Sequence, residues 1–323
     1  MTTAVLDVYL TEADGAQALR SDARVGLTST PKDLPPKWFY DAAGSELYEL
    51  ITKLPEYYPF DAEREILRDR ADEIAAASRA ESLVELGSGS SEKTRWLLTA
   101  LRDAGTLRRY LPLDVSESAL REAISALNVE YPDLPVHAIV GDFTRHLARI
   151  PAEGKRLLAF LGGTIGNLRP AERAAFLVSA RQTLRPGEQL LMGTGLVIDP
   201  AIMVPAYDDA QGVTAEFNRN VLRVLNRELG ADFEPEAFEH VALWSAEEEW
   251  IEMRLRARRQ MTVTVRGLGL EVPFASGEEM RTETSAKFRR GGVEAELAMA
   301  GFELTAWWTD EARRYAVSMA TAV

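Results

Sequence analysis

From about residue 62 to residue 196 the chain alternates short apolar strands with amphipathic helices, and few folds accept that rhythm. "ESLVELGSG" reads as a strand running into glycines, and "SEKTRWLLTALRDAG" follows with apolar residues at helical spacing and a closing Gly105. "RYLPLDVS" and "VHAIVGDF" are strands that each end in an acid, with "ESALREAISALNVEY" a helix between them. "RLLAFLGGTIGN" is a fourth strand, "PAERAAFLVSARQTL" a helix with Pro170 near its start, and "RPGEQLLMGTGLV" a fifth strand after a turn. Nearly continuous apolar strands separated by helices predict a parallel sheet covered on both faces. "VEAELAMAGFELTAWWTD" predicts a helix ending at Gly301 and then a strand. "RRYAVSMATAV" is a last strand close enough to pair with it antiparallel. The expected architecture is a doubly wound α/β sheet with an antiparallel last strand.

Two stretches fall outside this rhythm. Residues 1–60 precede the first expected sheet strand, and residues 197–286 interrupt the chain between the fifth strand and its next helix. In the second, "TAEFNRNVLRVLNREL" is helical. "EWIEMRLRA" alternates, with Ile251, Met253 and Leu255 on one side and Glu252, Arg254 and Arg256 on the other. "MTVTVRGLGLEVPF" and "MRTETSAKF" also read as strands. The expectation is one sheet domain from 61–196 and 287–323, and a second, α+β substrate domain from 1–60 and 197–286. The second should lie over the carboxyl ends of the sheet strands.

The glycine-rich stretch "GSGSSEKT" invites a phosphate-binding reading, but a P-loop needs glycine just before its lysine and here Glu92 stands before Lys93. Glu92 also occupies the third glycine position of a dinucleotide fingerprint. Gly87 and Gly89 still allow a tight turn with backbone open to a ligand. A ligand without phosphate and with a positive charge suits the flanking acids better. S-adenosylmethionine is such a ligand: Glu85 would lie near its amino-acid end. Asp114 would take both ribose hydroxyls, and Asp142 with Phe143 would meet the adenine. Acids at strand ends also serve as plain helix caps, so the ordered set carries the reading and no single acid does.

Bulk properties remove several alternatives. The chain has 323 residues, with 37 Lys and Arg against 50 Asp and Glu, a net charge of −13 that opposes a nucleic-acid partner. There is no cysteine, which excludes disulfides, thiolate metal sites and cysteine nucleophiles. His137, His146 and His240 have no metal-ligand spacing, so no metal is expected. The N-terminal residues do not read as a signal peptide and no segment has the length of a membrane span, so a cytoplasmic protein is expected.

The loop, Asp114, "GDF", the Pro186-Gly187 turn and the antiparallel finish together resemble the class I (Rossmann-like) methyltransferases. A narrower resemblance rests on "PPKWFYDAAGSELYELITKLPEYYP", "GSGSSEKT", "LGGTIGNL", "AYDDAQGVTAEFNRN" and "EEMRTETSAKF". These stretches look like the histidine N-alpha-methyltransferases of ergothioneine biosynthesis, over essentially the whole chain. The resemblance implies three methyl transfers from S-adenosylmethionine to the amine of L-histidine, giving hercynine. It implies cofactor contacts at Gly87, Lys93, Asp114, Asp142 and Phe143. It implies histidine contacts at Tyr57, Asn167, Tyr207, Glu283 and Ser285, with Met253 lining the side-chain pocket and Tyr40 facing the amine. The sequence departs from the family pattern at Phe60-Asp61, Gly195 and Ala286, none of which falls on these positions.

Physical chemistry supports the roles unevenly. Asn167 follows the fourth strand, where open α/β sheets bind ligands, although a turn asparagine in "IGNLRP" would look the same. The tyrosines alone read as core aromatics, and "RTETSAK" alone reads as a solvated strand face. Glu283 and Ser285 are two apart and so share one face of a strand. A carboxylate beside an imidazole pairs with its N–H. Tyr40 is expected to orient the amine and help remove its proton. Rival readings are a relative acting on another amino acid such as tryptophan, a binding protein on the same fold, and a nucleic-acid methylase. An indole gains nothing from the Glu283 carboxylate, and a chain without turnover would be expected to lose Asp114 or a loop glycine. A monomer is expected, since no exposed apolar stripe asks for a partner.

Overall fold

A computed structural model describes residues 4–89 and 91–323, so Ser90 of the glycine-rich stretch lies outside the described residues. In chain order the elements begin with β1 (Val5–Val8), α1 (Glu12–Thr28), β2 (Lys32–Asp33), α2 (Ala42–Ile51) and α3 (Tyr58–Ser78). Then come β3 (Ser82–Leu86), α4 (Thr94–Asp103), β4 (Arg109–Asp114), α5 (Glu117–Glu130), β5 (His137–Val140), β6 (Arg156–Phe160), α6 (Pro170–Thr183) and β7 (Gln189–Gly195). The interrupting stretch holds α7 (Pro200–Met203), α8 (Val213–Leu229), β8 (Phe238–Ser245), β9 (Trp250–Ala257), β10 (Met261–Val265), β11 (Leu270–Phe274) and β12 (Glu279–Ala286). The chain finishes with α9 (Arg290–Met299), β13 (Phe302–Thr309) and β14 (Tyr315–Ala322).

The chain divides into two compact units. One comprises the residues through Thr11, Pro59–Leu196 and Phe288–Val323; the other comprises Glu12–Tyr58 and Val197–Lys287. The first unit is an eight-stranded sheet in the order β1-β5-β4-β3-β6-β7-β14-β13. Strands β3 to β7 are parallel, and β14 runs antiparallel to both β7 and β13. β3, β6 and β7 are buried along their whole length, which is why their sequences read as unbroken apolar runs. Local signals set the helices between them: Ser116 caps α5 by accepting from the Ala119 amide, and Pro170 opens α6.

The expected boundaries need one correction. Residues 1–60 do not all belong to the second unit, because β1 pairs in parallel with β5 at the edge of the large sheet, Val5 opposite His137 and Val8 opposite Val140. The strand is four residues long, and Asp7 interrupts its apolar pattern. It is held by cross-strand contacts, including Asp7 to His137 Nε2 at 2.9 Å.

The second unit joins its two distant stretches around one core. Its four-stranded sheet runs β2-β12-β9-β8, and β10 and β11 form a separate hairpin. β2 comes from the N-terminal stretch and pairs in parallel with β12, Lys32 opposite Met280. Leu19, Leu27 and Phe39 from the first stretch pack with Val221, Leu225, Met253 and Phe274 from the second. Each such side chain, fully buried, contributes about 1.5–3 kcal/mol. Asn220 of α8 donates to Asp41 at 2.7 Å and so fixes the start of α2.

Candidate active site

In the sheet unit, the residues singled out from the sequence follow the carboxyl ends of β3, β4, β5 and β6, the edge at which open α/β sheets bind ligands. The turn after β3 needs left-handed backbone at Gly87 (φ 66) and Gly89 (φ 49), and a side-chain carbon at either would meet open space. The Gly87 amide donates to Leu113 O at 2.8 Å and the Gly89 amide to Asp114 Oδ2 at 2.9 Å, so the turn is laced to the end of β4. Asp114 Oδ1 accepts from the Ser116 amide at 2.9 Å. Each carboxylate oxygen keeps a second lone pair for a ligand hydroxyl. Burial raises the Asp114 pKa above the ordinary value, against the pull of these amides. Ser88 Oγ, in the same turn, is buried without a hydrogen-bond partner among the described residues. A carboxylate at the end of β4, an open glycine turn and an orphaned hydroxyl fit a ligand rich in hydroxyls and amines, as S-adenosylmethionine is.

The other sheet residues divide in character. Asp142 Oδ1 accepts from Thr144 N at 2.8 Å and Thr144 Oγ1 at 2.6 Å, while its own amide donates to His146 Nδ1 at 2.9 Å. Phe143 packs on Phe160 and Phe176, with ring centroids 4.9 and 5.8 Å away. Asn167 ends a 3-10 turn (Thr164–Asn167). Glu85 lies deeper than the sequence suggests. It accepts from Thr94 and Tyr110, and burial, against those bonds, lifts its pKa to about 7.

Lys93 is tied to a residue the sequence did not single out. Its ammonium pairs with Glu63 of α3 and lies 4.8 Å from the centroid of Phe60, one of the departures from the family pattern. Glu63 is fully buried and also accepts from the Gly162 amide at 2.8 Å and from Tyr315 Oη at 2.9 Å. One carboxylate thus links α3, the glycine-rich loop, the turn after β6 and the last strand.

In the second unit five aromatic rings meet. Tyr40 stands edge-on to Tyr48 and Phe217 at 5.6 and 5.4 Å, and Tyr57 stands edge-on to Tyr48 and Tyr207 at 6.2 and 6.4 Å. Tyr40 keeps 40 % of its surface exposed, so it is reachable. Desolvation first, then Tyr48, Glu283 and Tyr207, raise its pKa far above the ordinary tyrosine value. Its hydroxyl is harder to ionise than an ordinary tyrosine's, and its exposed edge leaves it open to a ligand.

Glu283 and Ser285 share a face of β12, as their spacing requires. A register shift between Arg281 and Glu283 sets Glu283 directly opposite Met253 of β9. Thr282, in the shift, is buried and donates to Asn218 Oδ1 at 2.6 Å. Asn218 in turn donates to His240 Nδ1 at 2.8 Å, and His240 Nε2 donates to the Tyr207 carbonyl at 2.8 Å. His240 is thus a spent core histidine that holds Tyr207, and burial lowers its pKa. Tyr207 Oη lies 2.8 Å from Ser285 Oγ, and Lys287 donates to both, at 2.8 and 2.7 Å. Sequence reading missed Lys287, Glu63 and Tyr48. Among the described residues no group of His, Asp and Glu gathers as a metal site, and no helix is long and apolar enough to cross a membrane.

The parallel sheet with its antiparallel finish, the glycine turn and the acid at the end of β4 define a class I S-adenosylmethionine-dependent methyltransferase. A solved S-adenosylmethionine-dependent methyltransferase from Clostridium acetobutylicum shares the fold, at a TM-score of 0.50 and 10 % identity over 87 % of this chain and 99 % of that one. The family model described as "Histidine-specific methyltransferase, SAM-dependent" matches residues 19–322. The histidine N-alpha-methyltransferases of Mycolicibacterium smegmatis and Mycobacterium tuberculosis are 59 % and 56 % identical to this chain, over 97 % of both sequences in each case. The "Ergothioneine biosynthesis protein 1" of Neurospora crassa is 33 % identical over 62 % of this chain and 23 % of its own. The chain belongs to the SAM-dependent histidine-specific methyltransferase family.

Proposed function

We infer that this protein trimethylates the α-amino group of L-histidine to hercynine, the opening reaction of ergothioneine biosynthesis. The observation that carries the reading is near-complete alignment, at 59 % identity, with a histidine N-alpha-methyltransferase. S-adenosylmethionine, when bound, supplies each methyl group from an activated sulfonium. Gly87, Gly89, Asp114, Asp142 and Phe143 are assigned to its binding, with Lys93 reached through its pair with Glu63. Tyr57, Asn167, Tyr207, Met253, Glu283 and Ser285 are assigned to histidine.

The residues of the chain have little bond-making to do. They must align the amine with the methyl group and exclude water. Bound there, S-adenosylmethionine would give its methyl group to the nitrogen lone pair and keep the C–S electrons on sulfur, and the amine would lose a proton before each further transfer. Tyr40 orients the amine and helps remove its proton, directly or through water. Glu283 takes an imidazole N–H, and Met253 beside it fills the room an indole would need. The tyrosine faces stabilise the quaternary ammonium product by cation–π attraction of about 1 kcal/mol or more. We further propose a monomer that binds neither nucleic acid nor membrane and works in the cytoplasm.

Mass spectrometry of the purified protein with S-adenosylmethionine and the twenty amino acids tests the reading. Three added methyl groups on histidine alone are expected. Methylation of tryptophan or another amino acid instead would overturn the substrate. If Tyr40→Phe turns over at the wild-type rate, the orienting role of Tyr40 is wrong.

A further inference from the structure

Glu63 is a fully buried acid on α3, and it touches two segments assigned to different ligands. Its carboxylate pairs with Lys93, which stands near the end of the glycine-rich stretch and just before α4. It also accepts the Gly162 amide, 2.8 Å from Oε1 and 3.0 Å from Oε2, and the Tyr315 hydroxyl at 2.9 Å. A backbone amide only donates, so the bond from Gly162 needs an acceptor at this place.

Both segments depend on outside support. The turn after β6 begins with two glycines in left-handed backbone, Gly162 (φ 76) and Gly163 (φ 70), and ends at Asn167. The stretch after β3 holds Gly87 and Gly89 in the same region. Glycine loses more conformational freedom on ordering than any other residue. α3 supplies the fixed frame, because Ala62, Ile66 and Leu67 around Glu63 are all buried in the core. On that frame the Glu63 stem is the part that can turn, and its three donors set the carboxylate. A ligand that fixes Lys93 therefore fixes the carboxylate, and with it the amide that starts the turn to Asn167. The second ligand then meets a segment that is already ordered and binds more tightly for that reason.

Resting on the assignment of Lys93 to the cofactor and of Asn167 to histidine, we propose that Glu63 is a positioning residue that couples the two binding events. S-adenosylmethionine engaging Lys93 sets the 162–167 turn for histidine, and histidine on that turn sets Lys93 for the cofactor. The coupling is positive and equal in both directions, as linkage requires.

Calorimetry reads it as a ratio: the affinity for histidine with saturating S-adenosylhomocysteine over the affinity without it. The wild-type ratio should be about five or more. Glu63→Gln keeps the size and an acceptor oxygen for Gly162 but removes the charge that holds Lys93. Its ratio should fall to within about twofold of one. Tyr315→Phe removes a donor to the same carboxylate and leaves the bonds from Lys93 and Gly162, so it should lose stability and keep the wild-type ratio. An undiminished ratio in Glu63→Gln overturns the proposal. An equal fall in Tyr315→Phe makes Glu63 a structural residue and overturns it too. If Glu63→Gln does not fold, amide exchange in the wild type decides. S-adenosylhomocysteine alone should slow exchange at Gly162, and an unchanged rate overturns the coupling. Histidine bound by the wild type with a ratio of one overturns the proposal alone. Wild-type protein that binds no histidine, with or without S-adenosylhomocysteine, overturns the assigned activity and the proposal together.

Discussion

A side-chain carbon at Gly193 would drive into the carboxylate of Glu63, and it would also crowd the Tyr315 hydroxyl at 2.6 Å. The glycine in β7 is thus set by an acid in α3. Gly193→Ala should push Glu63 away from Lys93 and the Gly162 amide. Glu63→Gln should break the buried ion pair outright, at a cost of about 3 kcal/mol. Calorimetry with S-adenosylhomocysteine and thermal melting should show both variants losing affinity as well as stability. Wild-type affinity in Glu63→Gln would separate this cluster from the cofactor.

Asp114→Asn should fail for a reason of direction. Both carboxylate oxygens of Asp114 accept backbone amides, from Gly89 and Ser116. An asparagine would point an NH2 donor at one of those donors. Titration with S-adenosylhomocysteine should show affinity down by at least about tenfold, and the melting temperature should fall as well, because a buried backbone amide loses its acceptor.

Histidine binding should weaken in acid. Burial lifts the Glu283 pKa to about 7 even though Lys287 pulls it down, so the carboxylate is ionised above that pH and neutral below it. KM for histidine should rise as pH falls through 7, by at most about tenfold per unit. Glu283→Gln has nothing to titrate and should lose this component. An identical pH profile in the two proteins would remove Glu283 from ring recognition.

Asp41 stabilises the second unit. It caps α2 through the Gly44 amide at 2.8 Å and takes Asn220 at 2.7 Å and Arg227 at 2.8 Å. Burial alone would raise its pKa, but these bonds outweigh it and hold the pKa below the ordinary value. Asp41→Ala should cost about 1–2 kcal/mol at neutral pH. A lowered folded pKa means the contribution is complete above the unfolded value, about 4. It fades as pH falls through the folded one. Urea melts at descending pH should therefore bring wild type and variant together.

The large sheet was readable because each of its central strands is buried on both faces and leaves an unbroken apolar run. β1 was not, since Asp7 interrupts it and its support comes from His137 far along the chain. The ligand-binding glycines and acids were legible as strand-end punctuation. Lys287 and Glu63 were not. In one dimension "TETSAKF" and "DAEREIL" look like solvated, charged faces. Burial of Lys287 is decided by Tyr207, 80 residues earlier, and burial of Glu63 by Tyr315, 252 residues later. Alternation and turn chemistry are local; the pairing of a charge is not.

Strand order in the sheet unit also bears on synthesis. β13 reaches the sheet only through β14, which lies between it and β7. The later strand must dock before the earlier one has anywhere to go. While a ribosome is still making β14, β7 is an open parallel edge and β13 has no partner. Tyr315, which closes on Glu63, is likewise still to come. A nascent chain stalled anywhere before that point exposes an unfinished edge. Its exposure to chaperones and proteases should end abruptly once β14 has emerged and not decline with length.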